Sequence, residues 1–158
     1  MSKSRQHVLF VCTGNICRSP MAEYFLKHYL GPNPAWQVSS AGFSAVEGQP
    51  ASPAAIEAMR KKKMDLTPHR SRGLTQDMID SATMIVVMTA AQAQIIKQRY
   101  SEAQDRLYLL KSFSPRLKNG DIEDPIGSAL DFYRQTRDTI EEAVLDLVLY
   151  LKACEKSG

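Results

Sequence analysis

The residues of this chain best equipped for chemistry stand in one short stretch, Val11-Cys12-Thr13-Gly14-Asn15-Ile16-Cys17-Arg18-Ser19-Pro20. A cysteine thiolate is a strong nucleophile. The guanidinium of Arg18 is a planar fork, able to hold two phosphate oxygens at once and to follow them into a transition state. Between the two, Gly14 and Asn15 tolerate the left-handed backbone conformations that turn successive N–H groups inward. If the stretch closes onto a helix N-terminus, those amides and the positive end of the helix dipole converge on one anion. The same field favours a thiolate at Cys12. Thr13, Gly14, Asn15, Ile16, Cys17 and Ser19 are therefore the expected walls of an anion cradle with Cys12 and Arg18 at its ends. The nucleotide-binding pattern G-x-x-x-x-G-K-[ST] is absent. Ser19 carries two readings that do not exclude each other: a hydroxyl bonded to the thiolate, and the cap of the following helix.

The elements around this stretch supply what the cradle needs. A β-branched and apolar run over 7–11 predicts a buried strand that delivers Cys12 at its end, and Ser19-Pro20 marks a helix start, with Gly31-Pro32-Asn33-Pro34 as its stop. Further strands are expected over 36–40, 83–88 and 107–110. Ser52-Pro53 opens a second helix that carries the basic run Arg60-Lys61-Lys62-Lys63 at its end, favoured there by the dipole and read as a solvated face. A short helix follows over 74–80, a capping box Thr89-Ala-Ala-Gln92 starts a helix to about residue 98, and the last helix runs from Ser128 through Leu151. The stretch 111–124 shows no period, and loops of that length in compact domains are usually functional. The alternation predicts an α/β fold: a small four-stranded parallel sheet with helices on both faces, doubly wound and flavodoxin-like, as one domain over 1–158. Ligands of such sheets sit beyond the C-terminal ends of the strands, where the Cys12 loop emerges.

Composition sets outer limits. With 158 residues, 44% hydrophobic and 23% charged, the chain can bury one core, and a net charge of +3 does not mark a nucleic-acid binder. Three cysteines do not make a disulfide framework, which fits a reducing cytosol. The opening Met-Ser-Lys-Ser-Arg-Gln-His leads into an apolar run too short for a signal peptide, and no stretch is long enough for a membrane helix. The three histidines are scattered, so no metal and no cofactor are expected. The expected protein is cytoplasmic and monomeric, without nucleic-acid or membrane partners.

The pattern C-x-x-x-x-x-R-[ST] at Cys12 to Ser19 resembles the phosphate-binding loop of the low-molecular-weight protein tyrosine phosphatases. The resemblance extends through Ser39-Ser40-Ala41-Gly42, Pro68-His69-Arg70-Ser71 and Asp124-Pro125, so it covers nearly the whole chain. It implies a metal-independent reaction in two steps. Cys12 attacks phosphorus, Asp124 protonates the departing oxygen, and water then releases inorganic phosphate with Asp124 as base. The substrate implied is a phosphorylated protein or peptide. By the same resemblance Asn15 holds the loop in shape, His69 supports it from behind, and Cys17 pairs reversibly with Cys12 as a redox guard, while Cys154 is a bystander.

The chain departs from the family pattern in ways that bear on substrate. Many tyrosine-specific relatives carry two aromatic residues after Asp-Pro, and here they are Ile126 and Gly127. Phe43 or Tyr133 could supply the missing aromatic wall. Met88-Thr89 and the stretch after Asp124 are similar to the protein arginine phosphatase branch of the family. Ile16 points the other way, because that branch typically has Thr there, and it tips the expectation to phosphotyrosine. Protein arginine phosphatase remains the alternative. Two further readings are an arsenate reductase, which would need another cysteine in reach, and a phosphate-binding module without catalysis.

Overall fold

The computed structural model describes residues 6–33, 35–117 and 120–157; residues 1–5 and Pro34 of the expected turn lie outside them. Four parallel strands form one sheet: β1 (Gln6–Cys12), β2 (Trp36–Gly42), β3 (Met84–Val87) and β4 (Leu107–Leu109), in the order β2-β1-β3-β4. The helices are α1 (Arg18–Leu30), α2 (Pro53–Arg60), α3 (Gln76–Ser81), α4 (Ala90–Arg99) and α5 (Leu130–Ser157).

Strand β1 is central, and Val8, Leu9, Phe10 and Val11 are each 0% exposed. A strand buried on both faces reads as a continuous apolar run, which is why 7–11 is recognisable without alternation. Val8, Phe10 and Cys12 point into a core built with α1, α2 and α5, through Phe25, Met59 and Val144 among others. Leu9 and Val11 point into a second core with Ile79 of α3 and Ile96 of α4. Helices thus cover both faces of the sheet, and the fold is the doubly wound, flavodoxin-like α/β arrangement. The order of the strands reverses beside β1, so Cys12 emerges at the switch point where such folds place ligands.

Three local expectations are corrected. Helix α1 begins at Arg18 with Cys17 in the cap position and no side-chain cap bond, so Ser19 is not the cap. Its hydroxyl is committed elsewhere, as described below. Helix α2 stops at Arg60, before the basic run ends. Lys63 turns left-handed (φ 60°), Met64 N–H donates to Met59 O at 3.1 Å and Lys63 N–H to Arg60 O at 2.9 Å, a Schellman closure. Helix α5 starts at Leu130, because Gly127 (φ 79°) and the Ser128 N–H bond to Pro125 O reverse the chain first. The caps of α2 and α4 agree with their motifs: Ser52 accepts from Ala55 N–H and Thr89 from Gln92 N–H. The stretch 111–124 is partly ordered by a 3₁₀ turn, Leu110–Phe113. It is fastened at Ile122, whose N–H donates to Met88 O at 2.8 Å.

Candidate active site

The loop between β1 and α1 is built around Asn15. Its φ of 59° is left-handed, a conformation that asparagine tolerates better than most residues. Every polar group of Asn15 is engaged, and the residue is fully buried. Its Nδ2 donates to Ser19 Oγ at 2.8 Å and to Ser40 Oγ at 2.9 Å, and its Oδ1 accepts from Arg72 N–H at 2.9 Å. Its main-chain N–H points at Cys12 Sγ, 3.3 Å away, and its carbonyl meets His69 Nε2 at 2.7 Å. Burial holds His69 below the ordinary histidine range, so the ring is neutral at pH 7 and donates from Nε2 to that carbonyl.

Cys12 lies at the C-terminal end of β1, 2% exposed, with Ser19 Oγ 2.9 Å from its sulfur. Ser19 is thus a bridge between Asn15 and Cys12, the first of its two readings. Ser40 passes the network on, donating to Glu23 Oε1 at 2.6 Å. Thr13 is held from the opposite side by Gln92 Nε2 at 3.3 Å. Gln92 also accepts from Met88 N–H at 2.9 Å, so its capping-box side chain reaches one residue further back than the motif predicts and serves the loop as well as the helix.

The strand register brings a glycine against this loop. Cys12 pairs with Gly42, and a Cβ at Gly42 would sit 2.6 Å from Thr13 O and 3.0 Å from Asn15 N. Neither main-chain atom can yield without moving the loop. We therefore expect Gly42→Ala to lower kcat/KM by about 100-fold, as loop displacements near 1 Å do, and stability by about 1–3 kcal/mol. Steady-state kinetics and denaturant titration read the two effects separately.

Arg18 opens α1 with a side chain that is 5% exposed. Its Nη1 donates to Ile122 O at 2.9 Å, and its Nη2 is 3.6 Å from Asp124 Oδ2. One guanidinium therefore joins the loop to the Asp-Pro segment. The Asp124 side chain is 42% exposed, and its Oδ1 accepts Ile126 N–H at 3.1 Å.

Cys17 holds the N-cap position of α1. It meets Ser52 Oγ at 3.2 Å and Tyr133 Oη at 3.6 Å, and burial pushes its thiol up. Burial likewise holds the Tyr133 phenol up at about 12. Both Cys12 and Cys17 are free thiols, and Cys154 is free and exposed on α5.

Beside the loop opens a cleft of about 730 Å³, lined by Gly14 and Ile16 from the loop, Val46 and Ser52 from the β2–α2 connection, and Ile126 and Tyr133 from the other side. Tyr133 is the aromatic residue of this lining. Phe43, the other candidate for an aromatic wall, is turned to the opposite face of the sheet, where Arg99 lies over its ring at 5.9 Å. Among the described residues, no group of three or more His, Cys, Asp or Glu side chains could hold a metal, and no helix is long and apolar enough to cross a membrane.

The structure thus gathers Cys12, Thr13, Gly14, Asn15, Ile16, Arg18, Ser19, His69 and Asp124 around one loop. Glu23 and Arg72 join them unannounced by any motif, and Gln92 joins them from a capping box that announced only a helix start. This cysteine–arginine loop on this fold defines a class: the chain belongs to the low molecular weight phosphotyrosine protein phosphatase family, whose model matches residues 7–157, and it is a hydrolase of that family. It is 39% identical over 148 residues to the protein-arginine-phosphatase of Bacillus subtilis (strain 168), covering 92% of this chain and 96% of that one. It is 36% identical over 137 residues to the probable low molecular weight protein-tyrosine-phosphatase EpsP of Ralstonia nicotianae, covering 87% and 90%. The YwlE arginine phosphatase from Geobacillus stearothermophilus superimposes with a TM-score of 0.89 at 38% identity over 96% of each chain.

Proposed function

We propose that the protein hydrolyses phosphotyrosine in proteins or peptides through a phosphorylated Cys12, without a metal. The observation that carries this reading is the convergence of Asn15 N–H and Ser19 Oγ on Cys12 Sγ, with Arg18 at the end of the same loop. Two donors on sulfur stabilise a thiolate before attack and again as it leaves in the second step. Loop amides and Arg18 carry the charge of the transferring phosphoryl group, for which positioning and electrostatics do most of the work. Asp124, partly exposed and held beside the loop by Arg18, is the acid that protonates the leaving oxygen and the base that then takes a proton from water. Inorganic phosphate is the second product. Cys17, a buried neutral thiol in the neighbouring wall, is the partner for reversible oxidation of Cys12. We read the protein as a cytoplasmic monomer.

Asp124→Asn tests the acid. We expect kcat/KM on phenyl phosphate, which reports the step that expels the leaving group, to fall by about 10²–10⁴-fold, with a much smaller loss on p-nitrophenyl phosphate, whose leaving group needs little protonation. Equal losses of kcat/KM on both substrates would remove Asp124 from the leaving-group step.

Ile16 is what favours phosphotyrosine. It lines the cleft beside the loop, where a branched apolar side chain keeps the floor dry and offers no hydroxyl to a guanidinium leaving group. The second reading, protein arginine phosphatase, has its own support in Ile126 and Gly127, which replace an aromatic wall, and in the arginine phosphatases among the relatives. The deciding experiment compares kcat/KM for phosphotyrosine and phosphoarginine peptides of one sequence, in chelator, for the wild type and Ile16→Thr. A wild-type preference for phosphotyrosine is expected, and Ile16→Thr should move the ratio towards phosphoarginine by about tenfold or more, the worth of one hydrogen bond to a charged group. A wild type that strongly prefers phosphoarginine overturns the first reading in favour of the second.

A further inference from the structure

A second cavity lies behind the loop and shares no lining residue with the cleft. It measures about 320 Å³ and is bounded by α1, by the outer edge of β2 and by the 68–72 segment. Its walls are polar and carry Glu23, Lys27, Ser40, His69, Arg70 and Arg72. Glu23 is neutralised inside the wall, with Lys27 Nζ 2.5 Å from Oε2 and Ser40 Oγ on Oε1. The two guanidinium groups are not. Among the described residues, neither Arg70 nor Arg72 forms an ion pair. Each guanidinium has five N–H donors. Arg70 spends Nη1 on the carbonyls of Thr67 and His69, and Arg72 spends Nη2 on Ser40 O, so most of their donors stay available to a ligand. Two uncompensated forks on one concavity match a compact molecule that bears more than one anionic oxygen group.

The walls of this cavity are also the back of the loop. Ser40 Oγ, His69 Nε2 and Arg72 N–H are three separate bonds to Asn15, which in turn holds Ser19 and donates to Cys12 Sγ. We propose that the cavity binds a compact polyvalent oxyanion, and that Cys12 senses its occupancy through Asn15. An anion bridging Arg70 and Arg72 clamps the 68–72 segment between them, and that segment supplies the His69 and Arg72 contacts to Asn15. A stiffer support keeps the cradle organised for the transition state, so occupancy raises kcat. The sensing half rests on the assignment of Cys12 as nucleophile, and the binding half does not.

Calorimetry with citrate tests the binding half, with benzylphosphonate held at a concentration that abolishes turnover so that the catalytic loop is filled. One saturable site is expected, weakened about tenfold or more in Arg70→Glu and unchanged in Arg134→Glu, which alters net charge equally on α5. Absence of a site, or equal binding by Arg70→Glu, overturns the proposal. Pyrophosphate in place of citrate separates phosphoryl from carboxylate ligands, and the tighter of the two gives the chemistry of the natural one. For the sensing half, kcat at saturating p-nitrophenyl phosphate should rise about fivefold with citrate, where competition at the catalytic loop no longer counts. The rise, read in each protein as kcat with citrate over kcat without it, should vanish in Arg70→Glu and persist in Arg134→Glu. An unchanged or lowered kcat in the wild type overturns the sensing. Should Cys12→Ser remain active, the nucleophile assignment fails while the calorimetric result still stands.

Discussion

Cys12→Ser is expected to remove turnover by at least about 10⁴-fold, the scale on which loss of an activated nucleophile is felt. A serine hydroxyl fits the same space at the end of β1 and can still bond Ser19 Oγ. It is not ionised at neutral pH, and the two donors that stabilise a thiolate cannot make it so. The variant should keep its fold, since Cys12 contributes one small side chain to a large core. It should also keep its affinity for inorganic phosphate, because the loop amides and Arg18 are untouched. Rapid-quench assays with aryl phosphate, alongside phosphate titration by calorimetry, separate the two properties. A variant that turns over normally would exclude covalent catalysis by Cys12. A wild type that binds phosphate and does not hydrolyse aryl phosphate would instead make the protein a binding module.

Arg18→Lys is expected to cost about 10³-fold in kcat/KM, within the range assigned to a transition-state arginine in phosphoryl transfer. Charge is conserved in this substitution, so simple attraction predicts little change. The fork is what is lost. In the structure the fork has two tasks, since Nη1 fixes Ile122 O while Nη2 faces Asp124. A single ammonium cannot perform both. The loss should therefore fall on kcat as well as KM, and it should be less than additive with Asp124→Asn, because without Arg18 the Asp-Pro segment has lost its tether. A double-mutant cycle measures this, and strict additivity would mean that Arg18 acts on phosphate alone.

Legibility in the sequence tracked the separation of the residues concerned. Cys12 to Ser19 could be read directly because strand, loop and helix start are contiguous and each residue type has one dominant use there. Strands β1 and β3 are legible because 7–11 and 84–88 are buried on both faces and therefore almost continuously apolar. Ser19 was ambiguous for a physical reason: the same hydroxyl suits a helix cap and a thiolate, and only the position of Asn15 decides between them. Asp124 and His69 came from family resemblance, since neither an Asp-Pro turn nor a lone loop histidine carries a signal of its own. Glu23, Arg72 and Gln92 were out of reach because their partners are distant in the chain; Gln92, for instance, acts on Thr13 from the far end of a capping box. The crowding at Gly42 follows from the β1–β2 register, which a parallel pair without a tight turn does not reveal in advance.

The left-handed backbone of Asn15 also governs how this loop can vary. The position asks for a positive φ, two side-chain donors and one acceptor at once. Glycine meets the first demand and none of the others, glutamine reverses that balance, and aspartate has the reach without the donors. The set of admissible substitutions there is nearly empty. Next door, Gly14 and Ile16 face the open cleft and owe little to the internal bonds, so their set is wide. The residue that holds the cradle in shape thus admits almost no exchange, whereas its neighbours on the cleft can change without breaking any of its bonds.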